Sequence, residues 1–142
     1  MKKNNFDICI VGGVGHVGLP LGILFASKGL KVCCYDINKS LIAKVKKGQM
    51  PFIEYGSEEL LENSIENNNL NFTSNPKYIT ESNYIIICIG TPIDEYSNPK
   101  TSKFLESVKK MKVYFRKSQT IIIRSSVFPR TCKQVLNILG GE

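Results

Sequence analysis

No apolar run in this sequence reaches the roughly 18 residues that a membrane-spanning helix needs. No small-residue cleavage site follows its basic start, Met1-Lys2-Lys3-Asn4-Asn5. Neither a membrane span nor a secretory leader is therefore expected. There is one histidine, His16, and the five cysteines (Cys9, Cys33, Cys34, Cys88 and Cys132) include no C-x-x-C pair. Zinc sites are built from such clustered donors, so no metal is expected. An odd cysteine count without framework spacing points to a reducing compartment, the cytoplasm. No internal repeat or low-complexity linker divides the chain, and its 142 residues give one domain, 1–142, with a real core.

The formal charge is +7, which by itself suits nucleic acid, a membrane surface or small anionic ligands. The cations fall mainly in two stretches, Lys44-Lys46-Lys47 and Lys109-Lys110-Lys112 with Arg116-Lys117. Aromatic residues do not interleave with them as a single-strand binder requires. They read as solvated helix faces, and no nucleic-acid partner is expected.

Apolar strands alternate with helical periodicity along the chain. Ile8-Cys9-Ile10-Val11 reads as a buried strand, and Val17 to Lys28 as a helix closed by Gly29. Lys31 to Tyr35 is a second strand, and Leu41, Ile42 and Val45 mark a second helix ending at Gly48. A helix over 58–66, with Ser57 as its N-cap, leads to a short strand at 70–73. Tyr84 to Ile89 is the strongest strand signal, and a helix carrying Phe104, Val108, Met111 and Phe115 follows. Thr120 to Ile123 reads as another buried strand and Thr131 to Leu139 as a last helix. This alternation predicts an α/β fold, a doubly wound parallel sheet of Rossmann type with helices on both faces.

Gly13-Val14-Gly15-His16-Val17-Gly18 fits G-x-G-x-x-G. Its place, directly after a strand and opening a helix, makes the pattern meaningful. The chemistry asks Gly13 for a tight turn, Gly15 for close approach of backbone to a diphosphate, and Gly18 for tight helix packing. The helix N-terminus offers free N–H groups and about half a positive charge to that diphosphate. Asp36 ends the second strand about twenty residues on, where a carboxylate accepts the ribose hydroxyls and repels a 2′-phosphate. The expected cofactor is NAD. His16 is the obvious acid–base candidate by residue type, but its place on the phosphate turn assigns it backbone and packing duties instead.

At these residues the sequence resembles the UDP-glucose/GDP-mannose dehydrogenase family. Gly13-Val14-Gly15-His16-Val17-Gly18-Leu19-Pro20 is similar to the family's G-x-G-Y-V-G-L-P, and Gly90-Thr91-Pro92 ends the fourth strand. Ser125-Ser126-Val127-Phe128-Pro129-Arg130-Thr131 is similar to S-T-V-x-P-G-T. A softer match covers 48–54, ahead of Glu58-Glu59-Leu60-Leu61. The resemblance implies that Gly90, Thr91, Pro92, Ser125 and Ser126 face the cofactor, with Ser126 helping to position a water near the reaction centre. It also implies oxidation of a nucleotide-sugar C6 alcohol to a carboxylate with two NAD, for polysaccharide precursors. The cysteine nucleophile, the UDP-sugar site and the homo-oligomer contacts then lie in downstream domains. On that reading this chain is a fragment or a truncated product whose fifth strand is an open edge inviting self-association.

Departures from the family pattern are His16 for Tyr, Leu41 where relatives often carry Arg (Lys39 being a substitute), Arg130 for Gly, and Glu54-Tyr55-Gly56 for E-P-G. The competing readings are a stand-alone NAD-sensing or interaction module and a 3-hydroxyacid-type dehydrogenase domain. The Thr91-Pro92 and Ser125-Ser126 patterns speak against the second.

Overall fold

The computed structural model describes residues 5–91, 93, 95 and 100–141. The strands are β1 (Phe6–Val11), β2 (Val32–Tyr35), β3 (Leu70–Thr73), β4 (Ser82–Ile87) and β5 (Thr120–Ile123). The helices are α1 (Gly18–Ser27), α2 (Lys39–Val45), α3 (Ser57–Glu66), α4 (Lys77–Thr80), α5 (Thr101–Met111) and α6 (Thr131–Leu139). Among the described residues the strands form one parallel sheet in the order β3-β2-β1-β4-β5. The chain steps outward from β1 to β3, then returns to the other side of β1 for β4. That reversal leaves a crevice beyond the carboxyl ends of β1 and β4, the position where open α/β sheets bind ligands.

The two-residue period of a strand sends alternate side chains to opposite faces. Ile8 and Ile10 of β1 join a core with Leu19 and Ile23 of α1, Ile42 and Val45 of α2, and Leu61 of α3. Cys9 and Val11 join a second core with Ile79 of α4, Phe104, Val108 and Met111 of α5, and Val135 of α6. The sheet is thus covered on both faces, which is why its strands read as continuous apolar runs.

Several local expectations change. Ser57 is the first residue of α3 and is buried; the N-cap is Gly56, with no side-chain cap bond. The helix expected to reach Phe115 stops at Met111 and tightens into a single 3₁₀ turn over Lys112–Tyr114. β5 is not buried: Thr120 and Ile122 are exposed and Ile121 and Ile123 only partly covered, because β5 pairs with β4 alone among the described residues. Cys88 lies just past β4 and is half-buried. The short α4 carried too few residues to show a period, and its presence was not foreseen.

Candidate dinucleotide site

The glycine turn begins one residue earlier than the motif. Gly12 holds the left-handed φ of +82° that the turn requires, and a Cβ there would sit 2.8 Å from the Cys88 carbonyl oxygen. Gly13 lacks room for a different reason: a Cβ would meet the Cβ of Cys34 at 2.6 Å. At Gly18 it would strike the Gly12 carbonyl, so the first turn of α1 lies directly on the glycine turn. Gly15 differs from all three. A Cβ there would meet nothing nearer than the Gly12 oxygen at 3.5 Å, an ordinary contact. The protein's own packing does not demand glycine at 15; the open space above the turn is what it preserves. Val17 is the N-cap of α1 and gives no side-chain cap bond, and the first turn of the helix holds no acidic residue. The Leu19 N–H of its first turn returns to the Gly15 carbonyl at 3.0 Å, and no acidic side chain there compensates the positive end of the helix dipole.

Asp36 follows β2 and reaches back to this turn. Its Oδ2 accepts from the Val14 N–H at 3.2 Å and its Oδ1 from the Asn38 N–H at 3.0 Å. A carboxylate has about four acceptor sites, so each oxygen keeps one for hydroxyl donors from outside. Asn38 also caps α2, accepting from the Leu41 N–H at 3.0 Å. Leu41 itself packs against the first core and is not part of the cleft wall.

A cleft of about 550 Å³ lies at the crevice between β1 and β4. Of the residues expected at the site, Gly15, Asp36 and Gly90 line it. Its far wall, from α5, was not anticipated: Ser107, Lys110 and Met111 face Asp36 and Ile37 across the opening. Periodicity could mark α5 as a helix but not say which of its faces meets β2. Cys88 lines the floor, and burial pushes its thiol pKa up, against the lowering effect of Arg124. Cys34 is raised by burial, and Cys9 by its hydrogen bond to Cys33 and by burial. These thiols stay neutral, and neutral thiols are poor nucleophiles.

The second group of expected residues forms a separate junction at the ends of β4 and β5. Thr91 Oγ1 donates to the Ser126 carbonyl at 3.0 Å. Ser125 Oγ donates to the Ile89 carbonyl at 2.7 Å, with the Ile87 carbonyl at 3.3 Å alongside. Ser125 is therefore spent on tying the two strand ends together, whereas Ser126 is exposed. Pro92 lies outside the described residues. His16 packs: its ring stacks on Phe52, centroids 4.2 Å apart and planes 14° from parallel. Val14 is buried and Val17 half-exposed.

Residues 6–141 match the profile described as "UDP-glucose/GDP-mannose dehydrogenase family, NAD binding domain". The chain belongs to this family. It is 33% identical to the UDP-glucose 6-dehydrogenase of Bacillus subtilis, a match covering 98% of this chain and 29% of that one. It is 32% identical to the UDP-N-acetyl-D-glucosamine 6-dehydrogenase of Pseudomonas aeruginosa, over 92% of this chain and 31% of the relative. The solved UDP-N-acetyl-mannosamine dehydrogenase of Staphylococcus aureus superposes with a TM-score of 0.83 at 30% identity, covering 96% of this chain and 34% of that structure. The chain spans about a third of the length of these relatives, and the part it spans is the family's NAD-binding domain.

Proposed function

We propose that this chain binds NAD as the cofactor half of a nucleotide-sugar 6-dehydrogenase in the cytoplasm, one that converts the C6 alcohol of a UDP-sugar to a uronate for polysaccharide precursors. The observation that carries the reading is the pairing of an open Gly15 with Asp36, whose carboxylate lines the same cleft and keeps acceptor capacity. In this assignment Gly13, Val14, Gly15, His16, Val17 and Gly18 present the turn and the α1 N-terminus to the diphosphate. Asp36 accepts the adenosine ribose hydroxyls. Gly90, Thr91, Pro92, Ser125 and Ser126 form the nicotinamide side, where the exposed Ser126 hydroxyl holds a water.

NAD supplies the hydride-accepting ring. The chain's own residues orient it and keep its anionic bridge on free N–H groups. The cysteine nucleophile, the UDP-sugar contacts and the homo-oligomer interface belong to domains other than this one, so the chain alone binds cofactor without turnover. None of its cysteines serves as the nucleophile.

Calorimetric titration with NAD+ and NADP+ tests the assignment, with Asp36→Ala as control. NAD+ binds to the wild type and NADP+ does not, and the variant loses NAD+. At about a hundredfold excess over the dissociation constant, NAD+ adds roughly 2.7 kcal/mol of stability. A wild-type chain that takes up neither nucleotide overturns the reading.

A further inference from the structure

Among the described residues the charged lining of the cleft is one anion and one cation, Asp36 at the end of β2 and Lys110 on the last turn of α5. Beside these two charges the cleft offers the glycine turn, Ile37 and Met111. The assignment of Asp36 to the ribose leaves Lys110 without a duty. Its ammonium is parked one turn back on its own helix, 2.8 Å from Glu106 Oε1, with both side chains largely exposed. An exposed i,i+4 pair of this kind contributes little and yields readily to a stronger anion.

We propose that Lys110 is a specificity-determining residue of the cofactor cleft: it offers a cation to a phosphate on the adenosine ribose, and Asp36 is what prevents that offer from being taken. This rests on the dinucleotide reading of the cleft. The chain's choice of NAD over NADP is then a balance between two walls, repulsion from β2 against attraction from α5, and not the property of Asp36 alone.

Three features support the assignment. A ribose 2′-phosphate carries nearly two negative charges at neutral pH, enough to draw Lys110 from the single carboxylate of Glu106. The stem of a lysine can lie along apolar surface while its head swings, and Met111 and Ile37 provide that surface within the cleft. Ser107, its neighbour one turn back on the same wall, donates its hydroxyl to the Lys103 carbonyl at 2.9 Å and is not a competing anion site. Lys39, the other cation close to Asp36 in sequence, is exposed at the start of α2 and is not part of the cleft wall.

The test is a set of calorimetric titrations with NADP+ and NAD+ on the folded 142-residue chain, with circular dichroism to verify folding. Asp36→Ala is expected to gain NADP+ affinity at least tenfold over the wild type. Adding Lys110→Met to that background returns the affinity toward the wild-type level, whereas adding Lys39→Met leaves the gain in place. Adding Glu106→Gln to Asp36→Ala tightens NADP+ a further two- to threefold by releasing Lys110. Asp36→Asn, which retains one oxygen acceptor, repeats the series if Asp36→Ala does not fold.

An Asp36/Lys110 double variant that holds NADP+ as tightly as the single variant overturns the proposal, as does an Asp36 variant with no gain for NADP+. Wild-type NAD+ binding separates the two readings: its absence removes the dinucleotide assignment itself, while its presence with a flat NADP+ series removes only the role of Lys110.

Discussion

The Val14 N–H donates to Oδ2 of Asp36 at 3.2 Å across 22 residues of sequence. The Asp36 carboxylate therefore fastens the glycine turn to the end of β2. Asp36→Ala should lower stability by about 1–2 kcal/mol even without cofactor, because charge-assisted bonds to two backbone N–H groups are lost together. Urea denaturation of the apo chain measures it. An unchanged midpoint would mean that water replaces the carboxylate at no cost.

The four glycines of the turn should separate into two classes. Gly15→Ala is expected to leave the stability measured by urea denaturation within about 0.5 kcal/mol of wild type while NAD+ binding falls at least tenfold. Gly18→Ala, which drives a methyl into the Gly12 carbonyl, should cost about 2 kcal/mol or more through backbone displacement. Equal destabilisation by both would contradict the idea that a ligand, and not the protein, needs glycine at 15.

Arg130 stands just before α6 with φ of +72°, a left-handed conformation that costs an L-residue about 1–2 kcal/mol. The family pattern places glycine here, and Arg130→Gly relieves the strain at the expense of some unfolded-state entropy. A net gain of about 0.5–1 kcal/mol is expected from thermal or urea unfolding.

Alkaline pH should weaken the fold through its buried thiols. The pKa values of Cys9, Cys34 and Cys88 are raised in the folded protein. The unfolded chain ionises first, so the stability they contribute is complete below the ordinary thiol pKa of about 8.5 and is lost as pH rises through the folded values. Each thiol gives a slope of up to about 1.4 kcal/mol per pH unit in that window. Denaturation between pH 8 and 10 under reducing conditions should show the decline, and Cys34→Ala should make it shallower.

The exposed edge gives a prediction about association. β5 carries Ile122 at 43% exposure and pairs with β4 alone among the described residues. Open apolar edges invite pairing between chains. The 142-residue chain should self-associate at high concentration in sedimentation, and Ile122→Lys should return it to monomer.

The half of the site that runs from β1 through the glycine turn and α1 to Asp36 was legible because its signals are local. A strand, a glycine-rich turn, a helix and a terminal carboxylate follow one another within a single βαβ unit. The α5 wall was not legible. Lys110 and Met111 face Asp36 only because β4 returns to the side of β1 opposite β2, a non-local pairing that no window of sequence contains. β5 misled for a related reason: Thr120-Ile121-Ile122-Ile123 has the composition of a buried strand, and burial depends on a neighbour that composition does not report. Ser125 shows the same gap at the scale of one residue. Its motif points to the cofactor side, and no window of sequence shows that its hydroxyl also bonds the Ile89 and Ile87 carbonyls at the end of β4.

The division of the interior by the sheet has an energetic corollary. Ile10 and Val11 are covalent neighbours, yet one is enclosed with α1 to α3 and the other with α4 to α6. Truncating both should therefore give effects that sum, whereas truncating Ile10 with Ile23, distant in sequence but in one core, should show a coupling energy between about 0.5 and 3 kcal/mol. Adjacency along the backbone says nothing here about thermodynamic dependence; the sheet acts as a wall between two chambers that can be perturbed one at a time.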